Sequence, residues 1–162
     1  MPLWYGRKNH KTFNNMDLVS EFLDIWLQTR KNPDIDPGEL AGVIDTIYDY
    51  QPSPGKWILI DVKPAELKQY ITTYVGPDGK ERKMIRQKDV KLSAAYIDLI
   101  KKGHLPTPIF IAGVEDPDDG TEGIVLLDGR HRIHSAVEAG IQTIEAYLPY
   151  GHLPCMDAAK FS

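Results

Sequence analysis

The stretch Ile124-Val-Leu-Leu-Asp-Gly-Arg-His-Arg-Ile-His134 constrains the fold more than any other part of the chain. Ile124 to Leu127 is a short apolar run, long enough for a buried strand. Asp128 and Gly129 break it sharply. Arg130 to Ala139 then reads as a helix, with Ile133, Ala136 and Val137 on one face and Gly140 as its stop. A strand that turns through glycine into a helix aims the amides of the first helical turn at whatever lies over it. That end is also the positive pole of the helix dipole, so it favours anions. The same turn carries Arg130, His131 and Arg132. Arginine offers a planar fork of donors that matches phosphate or carboxylate. Asp128 stands where it can orient a cation, a hydroxyl or one of these basic side chains.

The remaining elements follow from periodicity. Residues 1–15 show no clear period. Met16 to Thr29 has the spacing of an amphipathic helix, with Asn15 as the expected N-cap. Two prolines break the segment from Lys31 to Gly38, and Glu39 to Tyr50 is a second helix. This pair is expected to pack on the sheet and add core, the alternative being a homodimer face or a lid. Trp57 to Val62 reads as a strand, and Pro64 to Tyr70 as a short helix with proline in its first turn. Gly76-Pro-Asp-Gly79 predicts a hairpin between Tyr70–Val75 and Arg82–Ile85, with a basic tip over Lys80–Lys88 that is expected to be solvated. Ser93 to Lys102 is a helix closed by Gly103. Pro108–Gly113 and Gly123–Leu127 form a second hairpin, and Thr143–Tyr147 is the last strand. The loop between the hairpin strands holds five acids but lacks the spacing of a calcium loop. His131 and His134 share a helix face without a recognisable third ligand, so no metal is assigned to them.

Leu127-Asp-Gly-Arg-His-Arg-Ile-His-Ser-Ala136, set between a strand and Ala139-Gly-Ile-Gln-Thr-Ile-Glu-Ala-Tyr147, resembles the ParB/sulfiredoxin superfamily, whose members carry a Gly-x-His-Arg or Gly-x-Arg-Arg turn at this place. Trp57–Val62 with Pro64-Ala-Glu-Leu67 resembles that family's first strand and helix. Leu92–Gly103 with Leu105-Pro-Thr-Pro-Ile-Phe-Ile111 resembles its next helix, proline link and strand. The resemblance covers roughly residues 57 to 148. It implies an α/β (α+β) fold: a small mixed β-sheet with packed helices. An N-terminal helical extension (1–55) would precede the ParB/sulfiredoxin-like domain (56–150), and a tail (151–162) would follow.

The resemblance also implies that the turn holds nucleotide phosphates. Gly129, Arg130, His131, Arg132 and Ser135 would bind them, and Asp128 and His131 would carry the chemistry. The cofactor or substrate would be ATP or another nucleoside triphosphate with Mg²⁺, and the partner a small-molecule or protein phosphate acceptor. In sulfiredoxins the helix before the link supplies further phosphate contacts. Here its matching face is Leu92, Ala95 and Leu99, so Lys91, Ser93 and the link residue His104 stand as the substitutes. Sulfiredoxin's own reaction needs a cysteine where this chain has Arg130, and Cys155 lies far along the sequence.

Three functions follow from this resemblance. One is an NTP-dependent phosphotransferase or NTPase. The second is a DNA-associated ParB-like protein, either a nucleotide-switched binder or a nuclease. The third is a catalytically silent interaction module of the phage or plasmid kind. A net charge of −4 over 162 residues, and no helix-turn-helix segment after the domain, weigh against DNA. A single cysteine, with no apolar span and no signal peptide, gives the expectation of a cytoplasmic protein without a membrane partner.

Overall fold

A computed structural model describes residues 4–29, 37–52, 54–70, 73–75, 81–83, 97–98, 101, 108–115 and 122–152. Within them the protein is a mixed α+β structure built on one five-stranded sheet. The elements are β1 (Trp4–Phe13), α1 (Asn15–Thr29), α2 (Pro37–Asp49), β2 (Trp57–Val62), α3 (Pro64–Tyr70), β3 (Thr73–Val75), β4 (Glu81–Lys83), β5 (Ile109–Glu115), β6 (Glu122–Asp128), α4 (Arg130–Glu138) and β7 (Ile144–Pro149). The sheet order is β1-β2-β7-β5-β6, and β3 and β4 form a separate two-stranded ribbon. β5 and β7 run parallel, while the other neighbours in the main sheet are antiparallel.

The sheet is buried on both faces. Ile58, Ile60 and Val62 of β2 point one way with Ile109, Ile111, Ile144, Ala146 and Leu148. There they meet Leu67 of α3 and Ile133 and Ala136 of α4. Trp57, Phe110 and Tyr147 point the other way, onto Leu18 and Phe22 of α1 and Leu40, Val43 and Ile47 of α2. Two-sided burial explains why β2 opens with four consecutive apolar residues, Trp57–Ile60, rather than alternating. The aliphatic side is filled by branched side chains, whereas the α1/α2 side is filled by rings. Phe110 stacks on Tyr147 at 5.2 Å, and Trp57 meets the Phe110 ring edge-on at 5.2 Å. Phe22 and Phe13 close on the same pair. Edge-to-face and offset arrangements of this kind add to simple area burial.

The N-terminal helices therefore pack on the sheet, as their amphipathic spacing predicts. Two details differ from that expectation. Residues 4–13 are not irregular but form an edge strand of the main sheet, so 1–55 is more than a helical extension. The N-cap of α1 is Asn14, not Asn15. Asn14 Oδ1 accepts from the Asp17 amide at 2.8 Å, and Asp17 Oδ2 accepts from the Asn14 amide at 3.1 Å, a reciprocal capping box. Asn15 is thereby released to reach across the structure. Its Oδ1 accepts from Trp57 Nε1 at 2.6 Å, and its Nδ2 donates to the carbonyls of Ile47 and Tyr50 at 3.1 and 3.0 Å. One amide thus ties the end of α2 to β2.

The remaining elements match the sequence closely. The helix after β2 begins on Pro64, and the Leu67 amide donates to the Lys63 carbonyl. At the end of α4, Gly140 has φ 74°, its amide donates to Val137 O at 3.1 Å, and the Ile141 amide donates to Ala136 O at 2.9 Å. This is a Schellman closure, and Ile141 packs onto the aliphatic core. After β7, residues Tyr150–His152 form a single 3₁₀ turn. There the Gly113 amide of β5 donates to His152 Nδ1 at 3.1 Å. The predicted turn at 76–79, most of the basic tip, most of the acidic loop, most of the 93–102 helix and Cys155 lie outside the described residues. Ile97, Asp98 and Lys101, which are described, are helical.

Two outcomes follow. Asn15→Ala removes three hydrogen bonds at about 1 kcal/mol each, so urea unfolding should show a loss of about 2–3 kcal/mol. Asn15→Asp keeps the acceptor for Trp57 but turns a charge toward two carbonyls, and it should be at least as damaging. The second outcome concerns acid. Burial lowers the pKa of His152 below its ordinary 6.5, and Nδ1 must stay unprotonated to accept from Gly113. The unfolded chain then takes up the proton at higher pH than the folded one. This contribution is full above 6.5 and is lost as pH falls from 6.5 toward the folded value. Unfolding midpoints of His152→Asn, which keeps an acceptor without the titration, should fall less steeply across that window than those of the wild type.

Candidate functional site at the end of strand β6

The candidate turn sits where β6 ends and α4 begins. Gly129 has φ 121°, a conformation that side-chain-bearing residues rarely adopt. Space forbids a side chain there as well. A Cβ on Gly129 would overlap Ile109 Cγ2, lie 2.8 Å from Ile109 Cβ and sit 3.3 Å from Arg132 Nη2. Glycine is thus required by backbone conformation, by β5 and by the guanidinium beneath it. Gly129 is the N-cap residue of α4 and supplies no side-chain cap. The amides at the start of any helix lie outside its own hydrogen-bond ladder, so partners must come from elsewhere.

The three basic residues separate by depth. Arg130 is half-buried at the start of the helix. His131 is 8% exposed, and Arg132 only 1%. Arg132 Nη1 donates to the Pro108 carbonyl at 2.5 Å, and Nη2 lies 3.4 Å from Asp128 Oδ1. The guanidinium therefore ties the residue before β5 to the end of β6 and the first turn of α4. Ser135 is fully buried, and its hydroxyl donates to the His131 carbonyl at 2.6 Å, within the helix. Its proton is spent there rather than at the surface of the turn.

Asp128 is aimed by a β-bulge. From Glu115↔Glu122 to Ile111↔Leu126 the β5–β6 pairing is regular, but Phe110 then pairs with Asp128, skipping Leu127. Paired residues on antiparallel strands share a face, so the extra residue turns Asp128 to the Phe110 side, toward α2. Without the bulge, alternation would set Asp128 on the aliphatic face with Ile124 and Leu126. On the α2 side, Thr46 Oγ lies 3.5 Å from Asp128 Oδ2 and 3.0 Å from the Gly42 carbonyl. The Asp128 side chain keeps 20% of its surface exposed.

The structure thus places Asp128, Gly129, Arg130, His131 and Arg132 in one turn, as their sequence adjacency requires, and Ser135 in the next turn of α4. Lys91, Ser93 and His104 lie outside the described residues. Sequence reasoning missed Thr46 and the Pro108 carbonyl. Thr46 is 82 residues from Asp128, on a helix outside the resemblance, and no local signal marks it. Among the described residues no three His, Cys, Asp or Glu side chains converge as a metal-binding group.

No family model, curated protein or solved structure matches the chain. Among the described residues no helix is long and apolar enough to cross a membrane.

Gly129→Ala combines a disfavoured φ with a clash against Ile109. It should destabilise the fold by about 3 kcal/mol, read as a lowered urea midpoint with an unchanged slope. Ala at Gly55, where φ is 91° but nothing lies within 4 Å of a Cβ, should cost less. Equal losses at the two positions would mean that the contact with Ile109 is unimportant.

Proposed function

We propose that the protein binds a nucleoside triphosphate at the Asp128–Arg132 turn, in the manner of the ParB/sulfiredoxin superfamily, and transfers or hydrolyses its terminal phosphate. The observation that carries this reading is the construction of the turn. A glycine without a side-chain cap opens α4 at the end of a strand. Arg130 flanks it at the surface, and the Arg132 cation is fixed behind it. Helix amides, the dipole and arginine together are an ordinary phosphate-binding set.

The roles divide by depth. The first amides of α4 and the Arg130 guanidinium would hold phosphate oxygens. Arg132, bonded to Pro108 and Asp128, would add positive charge behind the turn without touching the ligand. Asp128 reaches solvent and would orient the attacking water or hydroxyl and take its proton. The new P–O bond forms as the bond to the bridging oxygen breaks, and the diphosphate leaves with the electron pair. Charge that grows on the phosphoryl oxygens is then met by donors already in place. A second reading, binding without turnover, is favoured by the contacts of both Asp128 oxygens, Oδ1 with Arg132 and Oδ2 with Thr46.

Thermal unfolding with ATP, CTP, ADP and inorganic phosphate, each with Mg²⁺, tests the binding. A ligand at 100 times its dissociation constant adds about 2.7 kcal/mol, which moves the midpoint visibly. The shift should appear with a nucleotide and shrink strongly in Arg130→Ala. Arg132→Ala is the wrong probe, because it removes a buried strut. Phosphate release abolished by Asp128→Asn marks an enzyme. A nucleotide shift without release marks a binding module. No shift with any of the four ligands overturns the proposal.

A further inference from the structure

The bulge in β6 spends an extra residue to set Asp128 on the Phe110 side of the sheet, where Thr46 of α2 meets its Oδ2 while Oδ1 stays 3.4 Å from Arg132 Nη2 of α4. We infer that Thr46 is a positioning residue for the turn, fixing the direction of the Asp128 carboxylate from the α2 side when an anion is bound. The inference rests on the phosphate-binding reading and names how the α1–α2 layer takes part in it.

The physical problem is one of like charges. A carboxylate adjoining a phosphate-binding turn repels the ligand unless its charge is answered and its direction fixed. Arg132 answers Oδ1 from the α4 side at 3.4 Å. Thr46 stands at Oδ2 from the opposite side of the sheet. Its hydroxyl has one proton and two acceptors within reach, the Gly42 carbonyl at 3.0 Å and Asp128 Oδ2 at 3.5 Å. A hydroxyl exchanges acceptors by rotation about one bond, with no movement of the helix. Negative charge arriving at the turn raises the cost of an unanswered carboxylate, and a hydroxyl donating to an ionised acceptor offsets it better than the same hydroxyl on a neutral carbonyl. The Thr46 hydroxyl then turns its hydrogen from the Gly42 carbonyl to Asp128 Oδ2, and the carboxylate is drawn toward α2. A layer that otherwise serves as packing thereby contributes a side chain to the site.

The test uses the full chain and four proteins: wild type, Thr46→Val, Asp128→Asn and the double variant, with Thr46→Ser as rescue. ATP affinity is measured by titration calorimetry. Thr46→Val keeps the side-chain shape and should bind ATP about three- to tenfold more weakly, the size of one hydrogen bond to a charged group made at long range. Thr46→Ser should bind within about twofold of wild type, since it keeps the hydroxyl. In the Asp128→Asn background, Thr46→Val should have no further effect on affinity. Wild-type affinity in Thr46→Val overturns the inference. So does a Thr46→Ser variant as weak as Thr46→Val, or an undiminished effect of Thr46→Val in Asp128→Asn. If wild type binds no ATP, the phosphate reading is what fails. The urea midpoints of the same four proteins then decide the contact: non-additive losses support it, and additive losses overturn it.

Discussion

A guanidinium with 1% of its surface exposed imposes conditions on everything around it. Removing such a charge from water costs several kcal/mol, and the cost is recovered only with good partners. Arg132 finds the Pro108 carbonyl and the Asp128 carboxylate. For both to be in reach, the start of β5, the end of β6 and the first turn of α4 must meet at one point. Gly129 makes the meeting possible by having no side chain, since a Cβ there would press on Ile109 and approach the guanidinium. The cation also explains why a surface motif has a buried centre. Two of its three basic residues lie largely beneath the surface, and Arg130 is the most exposed of them.

The sheet sets the second condition. With both faces covered, each strand must supply two kinds of surface from alternate residues. β2 does this with Ile58, Ile60 and Val62 on one side and Trp57 and Leu59 on the other. The ring-filled side needs polar atoms to be matched as well as area to be buried, because Trp57 carries an N–H and Tyr147 a hydroxyl. Asn15 answers the first, and Glu21 lies 3.4 Å from the second. Burial, followed by the neighbouring carboxylates of Glu21 and Glu145, raises the Tyr147 pKa well above its ordinary value, so the phenol stays neutral and its hydroxyl serves as a donor. Polar residues of α1 thus fix where the apolar face of the helix sits on the rings.

Much of the fold is legible in the residues, and the exceptions have physical causes. Trp57–Val62, Pro64–Tyr70 and the helix from Arg130 announce themselves by apolar runs, proline and glycine, which act locally. β1 does not. Trp4–Phe13 is an edge strand of mixed polarity whose pairing with β2 is interrupted twice, so no sustained alternation is demanded of it. The expected cap of α1, Asn15, gives way to its neighbour Asn14, because the distant Trp57 ring, which no local signal reveals, takes the Asn15 side chain. At the site, the Asp-Gly break is plain in the sequence, but the bulge is not. Skipping one residue in a pairing register leaves no mark in composition, yet it decides which face Asp128 takes.

That single register shift separates two molecules that the same motif could build. In regular pairing, Asp128 would lie on the aliphatic face beside α4, and the turn would be a feature of one layer. With the bulge, the carboxylate stands at the strand end between both layers, with Arg132 of α4 on one oxygen and Thr46 of α2 facing the other. A bulge weakens a ladder locally and leaves a residue unpaired, so it persists where the redirected side chain gains something in return. Here the gain is the Thr46 hydroxyl facing Oδ2, while Oδ1 stays within reach of Arg132. The charge at the turn is thus arranged by depth: Arg132 is balanced inside by Asp128, and Arg130 stands half-buried nearer the surface.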